Sequence, residues 1–384
     1  MLSSSCDKVE TFVFAIRLGF HLIYGDQKFK LQPIAYQILL EPATVIAKSM
    51  RQRQVTSYEV VRAYIGRLKS VQSYLNVYVD ERFEEALDEA RKVDELLDNK
   101  DSFSDQYSEE RIPFLGVPFA IKESMQFIGF HNSTGIAARE NIIATETATF
   151  VENMLKSGVI LLCNTNIKFS GQNSLYGTTN NPYNLTRIVG GSSGGAGCIV
   201  SATGVPFGVG ADIGGSIRMS SFINGIFGHK TLPVDAYCVN KLDPEQKLAH
   251  RQVVQHFENT YKIHVTPFNR RRYPVSLWSA MMVNGELSSR DFSLAIRDHT
   301  AHTNGYLESL KKLFFRSTYI LATIGLAIVE ALLKKHNKRF HKVAHKFYEE
   351  IQILLGDDGI LFFPTFPQSA SVHGQLTLVV AQEI

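Results

Sequence analysis

Residues 190–218 read GGSSGGAGCIVSATGVPFGVGADIGGSIR, a stretch with little side-chain bulk in which two of the four serines, Ser192 and Ser216, are set among glycines. Glycine has no Cβ, so it reaches backbone conformations closed to other residues and lets neighbouring backbone approach closely. A chain that concentrates this freedom in one place can bend tightly there and pack other elements against the bend. The serines, Ser192 and Ser216, stand 24 residues apart, and Lys122 lies upstream in the run Gly116-Val-Pro-Phe-Ala-Ile-Lys122-Glu123. Serine is a weak nucleophile at its own pKa, and a lysine desolvated enough to be neutral near pH 7 can take its proton without any histidine. On that chemistry Ser216 attacks and Lys122 is the distant base.

Each piece also has an ordinary reading. GGSSGG is the composition of a flexible linker, and no Gly-Lys-Ser/Thr follows it, so it is not a phosphate-cradling loop. A lysine after an apolar run commonly marks a strand end at the surface. Asp212 and Arg218 could form a loop ion pair of small energetic worth. Order and spacing, taken together, favour chemistry.

The set resembles the amidase signature family, whose hallmark is a Lys–Ser–Ser triad in which the middle serine relays the proton. The GGSSGG box of that family falls on residues 190–195, and its D-x-G-G-S-x-R box on residues 212–218. Residues 192–230 look most like the second, membrane-anchored fatty-acid amide hydrolase type, and the resemblance is strong over residues 39–230. It implies Ser216 as nucleophile, Lys122 as base and later acid, and Ser192 as the bridge. It also implies a cis Gly191–Ser192 peptide, supporting roles for Asp212 and Arg218, and an oxyanion hole made by the backbone N–H groups of Ile213, Gly214, Gly215 and Ser216. A turn of successive amides forms a concave nest suited to a developing negative charge. The implied fold is α/β, a mixed central sheet flanked by helices. The implied activity is cleavage of carboxamides, above all fatty-acid amides, through an acyl-enzyme and without a cofactor.

Three departures qualify the resemblance. Residues 167–176 fall several residues short of the family's stretch before the Gly-x-x-x-Asn-Pro-Tyr element at residues 177–183, and that stretch lines the acyl pocket in relatives. After Lys230 relatives continue with a Pro- and Gly-rich strand, where this chain has Thr231-Leu-Pro-Val-Asp235. Residues 356–364 match a family strand, but after His373 the chain runs directly into residues 376–382, where relatives place further strands of the central sheet. The sheet is therefore expected to be incomplete, with backbone groups beside the gap deprived of partners. The expected layout is a hydrophobic or anchor segment over residues 1–40 and an amidase signature domain over residues 41–384, with shortfalls after Lys230 and His373. The alternative functional reading is a truncated, non-catalytic relative, an isoform or gene-model product that keeps the triad residues without a complete pocket.

A net charge of +3 over 384 residues is too mild to argue for nucleic acid. Four cysteines without paired spacing suggest buried or free thiols in a reducing, intracellular compartment. No C-x-x-C or H-E-x-x-H pattern occurs, so no metal is expected, and the scattered histidines read as surface or core residues. The apolar residues 11–24 are interrupted by Arg17 and His21 and are shorter than the ~20 residues a membrane span needs. An interfacial anchor and a buried helix both stay open there. Residues 319–333, followed by the basic run at residues 334–339, leave a core helix and a membrane-surface helix as alternatives. The expected partner is a small lipid amide, with a peripheral membrane contact.

Thr56-x-x-Glu59 is a capping box, and the apolar spacing after it predicts a helix over residues 57–71. Residues 80–98 predict a second, strongly charged helix with one apolar face. Residues 114–121 predict a buried strand delivering Lys122 to its end. Residues 147–157 predict a helix, 159–163 a strand, 193–202 a closely packed helix, and 207–209 a strand feeding the Ser216 turn. Helices are also predicted over residues 246–258, 304–315, 319–333 and 336–355. Alternation of strands and helices argues for a layered α/β architecture.

Overall fold

The structure, a computed structural model, describes residues 31–99, 107–167, 173, 175–212, 215–229, 244–261, 303–314 and scattered positions between 316 and 353. The predictions for residues 11–24, 356–364 and 376–382, and most of those for residues 319–333 and 336–355, lie outside the described residues. Eight α-helices are described, besides two short 3-10 turns: α1 (Ala43–Arg51), α2 (Ser57–Leu75), α3 (Phe83–Asp98), α4 (Thr149–Lys156), α5 (Gly194–Ser201), α6 (Arg218–Ile223), α7 (Pro244–Tyr261) and α8 (Gly305–Leu313). Four strands, β1 (Tyr78–Glu81), β2 (Pro118–Lys122), β3 (Ile160–Thr165) and β4 (Gly208–Val209), form one sheet in the order β1-β3-β2-β4. The β1–β3 pair is antiparallel, while β2 runs parallel to both β3 and β4. This is the mixed α/β sheet expected from the sequence.

Helix α2 starts where the capping box places it. The Thr56 hydroxyl accepts from the Glu59 N–H at 3.1 Å, and the Glu59 carboxylate accepts from the Thr56 N–H at 3.0 Å. The helix buries Val60, Tyr64, Leu68, Val71 and Leu75, a stripe at helical spacing, against the sheet. It runs one turn past its predicted end and stops at Asn76, which adopts the left-handed region at φ 52°. Asparagine tolerates that region better than most residues.

The second predicted helix begins later than its charge pattern suggests. Residues Tyr78–Glu81 are a strand because β1 pairs with β3 and the Asp80 N–H donates to Asn164 Oδ1 at 2.7 Å. The Glu81 carboxylate then accepts from the Phe83 N–H at 2.8 Å as the helix opens. Tertiary pairing here overrides the local preference of an acidic, helix-favouring run.

The sheet separates two apolar layers. Ala120 and Leu162 pack on one face with α2, α3 and α5, while Phe119, Ile121 and Leu161 pack on the other with Phe130, Val151 and Val159. The β2–β3 register shifts between Phe119↔Leu161 and Ala120↔Cys163, a bulge that puts consecutive Leu162 and Cys163 on the α2 side. Alternation along β2 then directs Lys122 to the Ala120 face, where α5 lies. Strand β2, entirely buried, ends with a cation rather than an apolar residue.

Candidate active site

Lys122 is 4% exposed at the end of β2. Its Nζ donates to Ser192 Oγ at 2.7 Å and to the Ala211 carbonyl at 3.4 Å. Ser192 Oγ donates in turn to Ser216 Oγ at 3.2 Å. Burial pushes the Lys122 ammonium down to about 8, against the pull of the Asp212 and Glu123 carboxylates. An amine in this state exchanges its proton near neutral pH, and two hydroxyls connect it to the far oxygen.

The glycines explain how three distant positions meet. The Gly191–Ser192 peptide is cis, as the resemblance implied. Gly190 sits at φ 74°, and a Cβ there would lie 2.9 Å from Ser220 Cα, so the turn is pressed against α6. A Cβ on Gly195 would collide with the Asn166 carbonyl oxygen at the end of β3. Helix α5 can therefore seat its first turn directly on the sheet edge that carries Lys122. The Ser193 hydroxyl donates to the Ala211 carbonyl at 3.1 Å, which ties the serine turn to the strand feeding Ser216.

Asp212 organises the second turn. Its carboxylate accepts from the backbone N–H groups of Gly215, Ile217 and Arg218 at 2.7, 3.1 and 3.1 Å. The Arg218 guanidinium adds Nε and Nη2 donors at 3.0 and 2.9 Å. Burial opposes the charge, yet the Arg218 guanidinium and the backbone donors hold the Asp212 carboxyl well below the usual carboxylate range. The Asp212 side chain is 1% exposed and that of Arg218 19%, so the carboxylate, unlike that of a solvated loop ion pair, is shielded from water. Ile213 and Gly214 lie outside the described residues. The Gly215 N–H is directed at Asp212, which differs from the expectation that it points at an oxyanion; the short carboxylate–amide bond takes that donor.

Residues 59–236 match the Amidase family profile. Fatty-acid amide hydrolase 2 of Homo sapiens is 32% identical to this chain, over 92% of the chain and 81% of the relative. The chain belongs to the amidase signature family. Fatty-acid amide hydrolase 2-A of Danio rerio is 31% identical over 94% of this amidase and 83% of its own length. Two solved structures share the fold at low identity. One, a fatty acid amide hydrolase, has a TM-score of 0.61 at 16% identity, covering 84% of this chain and 68% of its own. The other, a crystal structure of an amidase, has a TM-score of 0.65 at 16% identity, with 87% and 84% covered. By family the protein is an amidase, a carbon–nitrogen hydrolase.

Sequence reasoning missed a polar cluster behind Lys122 in this amidase. Glu123, fully buried, accepts from the Ser133 hydroxyl at 2.7 Å and from the Thr134 N–H at 2.8 Å. Tyr176 donates its phenol to Ser133 Oγ at 3.1 Å. Asp80 holds His131 through Nδ1 at 2.6 Å and Asn164 through Nδ2 at 2.9 Å. The only local signal was an acidic residue directly after Lys122 and the polar run His131-Asn-Ser-Thr-Gly135. Among the described residues no helix is long and apolar enough to cross a membrane.

Proposed function

We propose that this amidase is a serine hydrolase cleaving carboxamides, fatty-acid amides in particular, with Ser216 as nucleophile, Ser192 as relay and Lys122 as base. The hydrogen-bonded chain from Lys122 Nζ through Ser192 Oγ to Ser216 Oγ is the observation that carries this reading. Neutral Lys122 accepts the Ser192 proton as Ser192 accepts that of Ser216, so both hydrogen bonds of the chain reverse direction. Ser216 Oγ forms a bond to the amide carbon, and the carbonyl oxygen becomes negatively charged. Its donors are the backbone N–H groups of Ile213, Gly214 and Ser216, since that of Gly215 is held by Asp212.

Collapse of the tetrahedral species breaks the C–N bond. Lys122 returns its proton through Ser192 to the leaving nitrogen, and the amine departs. Water then adds to the Ser216 ester with the same relay as base, giving the carboxylic acid and free serine. Asp212 and Arg218 keep the second turn in shape, Gly190 lets the first turn press against α6, and Gly191 precedes the relay serine through a cis peptide. The names of the relatives at 31–32% identity support fatty-acid amides as the substrate class.

A fluorophosphonate probe tests the assignment: it is expected to label Ser216 in the folded chain and to leave Ser216→Ala unlabelled. No adduct at Ser216 in protein that melts cooperatively would reject it in favour of a non-catalytic relative. Comparing release of ammonia from long-chain and short-chain primary amides tests the substrate class. A layout of an anchor over residues 1–40 and a hydrolase over residues 41–384 accompanies this reading, with a peripheral membrane contact through residues 11–24. Liposome co-sedimentation with no bound fraction would remove that contact.

A further inference from the structure

The carboxylate that follows Lys122 has an unusual setting. Glu123 is 0% exposed, and its described donors, the Ser133 N–H and hydroxyl and the Thr134 N–H, are all neutral. Successive strand residues face opposite ways, so Lys122 turns to the serines while Glu123 turns to the 133–134 loop. That loop needs holding. Thr134 sits in the left-handed region at φ 53°, costly for a β-branched residue unless surroundings enforce it. Gly135 follows at φ 69°, packed against Ile167 and Asn173.

Among the described residues, the charges around Lys122 are few. From the 212–218 turn it faces Asp212, which is already bound by Arg218 through two nitrogens. Directly after its strand comes Glu123. Behind Glu123 stand Asp80 with its partner His131, and the phenol of Tyr176. Burial pushes the Glu123 carboxyl up, while the Ser133 and Thr134 donors pull it back down; in its ionised form it is the negative charge beside Lys122 whose described partners bring no cation.

We propose that Glu123 is a positioning residue for Lys122: its carboxylate clamps the end of β2 to the 133–134 loop and supplies the negative charge that lets the ammonium form persist in a dry site. The proposal rests on Lys122 being the base of the proposed reaction. Without Glu123 the ammonium is less well compensated and releases its proton at lower pH. An opposite charge close by shifts a buried group on the order of one pH unit or more.

The test is the pH dependence of the fluorophosphonate labelling rate of the full chain. Wild type is expected to gain rate as Lys122 deprotonates, with a midpoint near 8. In Glu123→Gln the midpoint is expected about one unit lower, leaving a roughly tenfold larger fraction of the plateau rate at pH 6. Tyr176→Phe, which removes a hydrogen bond and no charge, is expected to keep the wild-type midpoint. A Glu123→Gln midpoint equal to wild type overturns the proposal, since loss of a merely structural contact lowers the plateau without moving the midpoint.

Should Glu123→Gln fail to fold, Glu123→Ser carries the test. It removes the charge and leaves a hydroxyl facing the loop, so a midpoint about one unit below that of wild type is expected. An unmoved midpoint overturns the proposal. A wild-type chain that is never labelled refutes the nucleophile assignment instead, so the two failures are told apart.

Discussion

Lys122 carries a cost that the proposed reaction requires. Burying an ammonium penalises its charged form, so below about pH 8 the folded chain carries a charge it would lose more readily than an unfolded lysine does. That penalty is in force below the folded value and disappears above the ordinary lysine range, near 10.4. Lys122→Met is therefore expected to reduce the labelling rate of Ser216 by roughly 10³-fold or more, while the melting temperature at pH 7 stays equal or rises. Differential scanning calorimetry beside the labelling assay checks both halves. Asp212 behaves in the opposite sense. Its folded pKa lies below the ordinary value, so its stabilisation is complete above about pH 4 and is lost as pH falls through the folded value. Asp212→Asn leaves Arg218 without its carboxylate and is expected to cost roughly 3 kcal/mol at pH 7, with a flatter acid limb of stability, measured by urea unfolding at several pH values.

At the level of elements, the site depends on two glycine turns brought against the open end of a parallel strand pair. Helix α5 succeeds only with its small residues. Gly195→Ala is expected to push α5 off the Asn166 carbonyl, to cost about 1–3 kcal/mol and to abolish labelling of Ser216. Labelling retained at the wild-type rate, with an unchanged melt, would contradict that picture. These elements were largely readable beforehand. Box spacing placed both turns, and the capping box placed the start of α2. Strand β1 was not readable, because its acidic residues belong locally to a helix and only the β3 partner and Asn164 make them extended. The Glu123 cluster escaped for a related reason: its partners lie 10 and 11 residues away in a loop whose shape no local pattern announces. The commitment of Gly215 to Asp212 was likewise hidden, since spacing names a turn without orienting its amides.

Across the whole molecule, the sheet divides the described core into two layers that meet at β3. Leu161 and Leu162 are adjacent, fully buried and on opposite sides. Each Leu→Ala change is expected to cost about 2–5 kcal/mol in denaturant unfolding, because either layer is left with a cavity. If the layers unfold together, the two variants shift one transition; a split transition in one variant alone would mark that layer as separate. The hydroxyl wire joins positions 70 and 24 residues apart along the chain. During synthesis, Lys122 therefore emerges long before its partners, as an ordinary hydrated amine with no hydroxyl to act upon. On the proposed mechanism, a nascent chain that has not yet released Ser216 from the ribosome lacks its nucleophile, and Lys122 stays chemically silent until the second glycine turn meets the first.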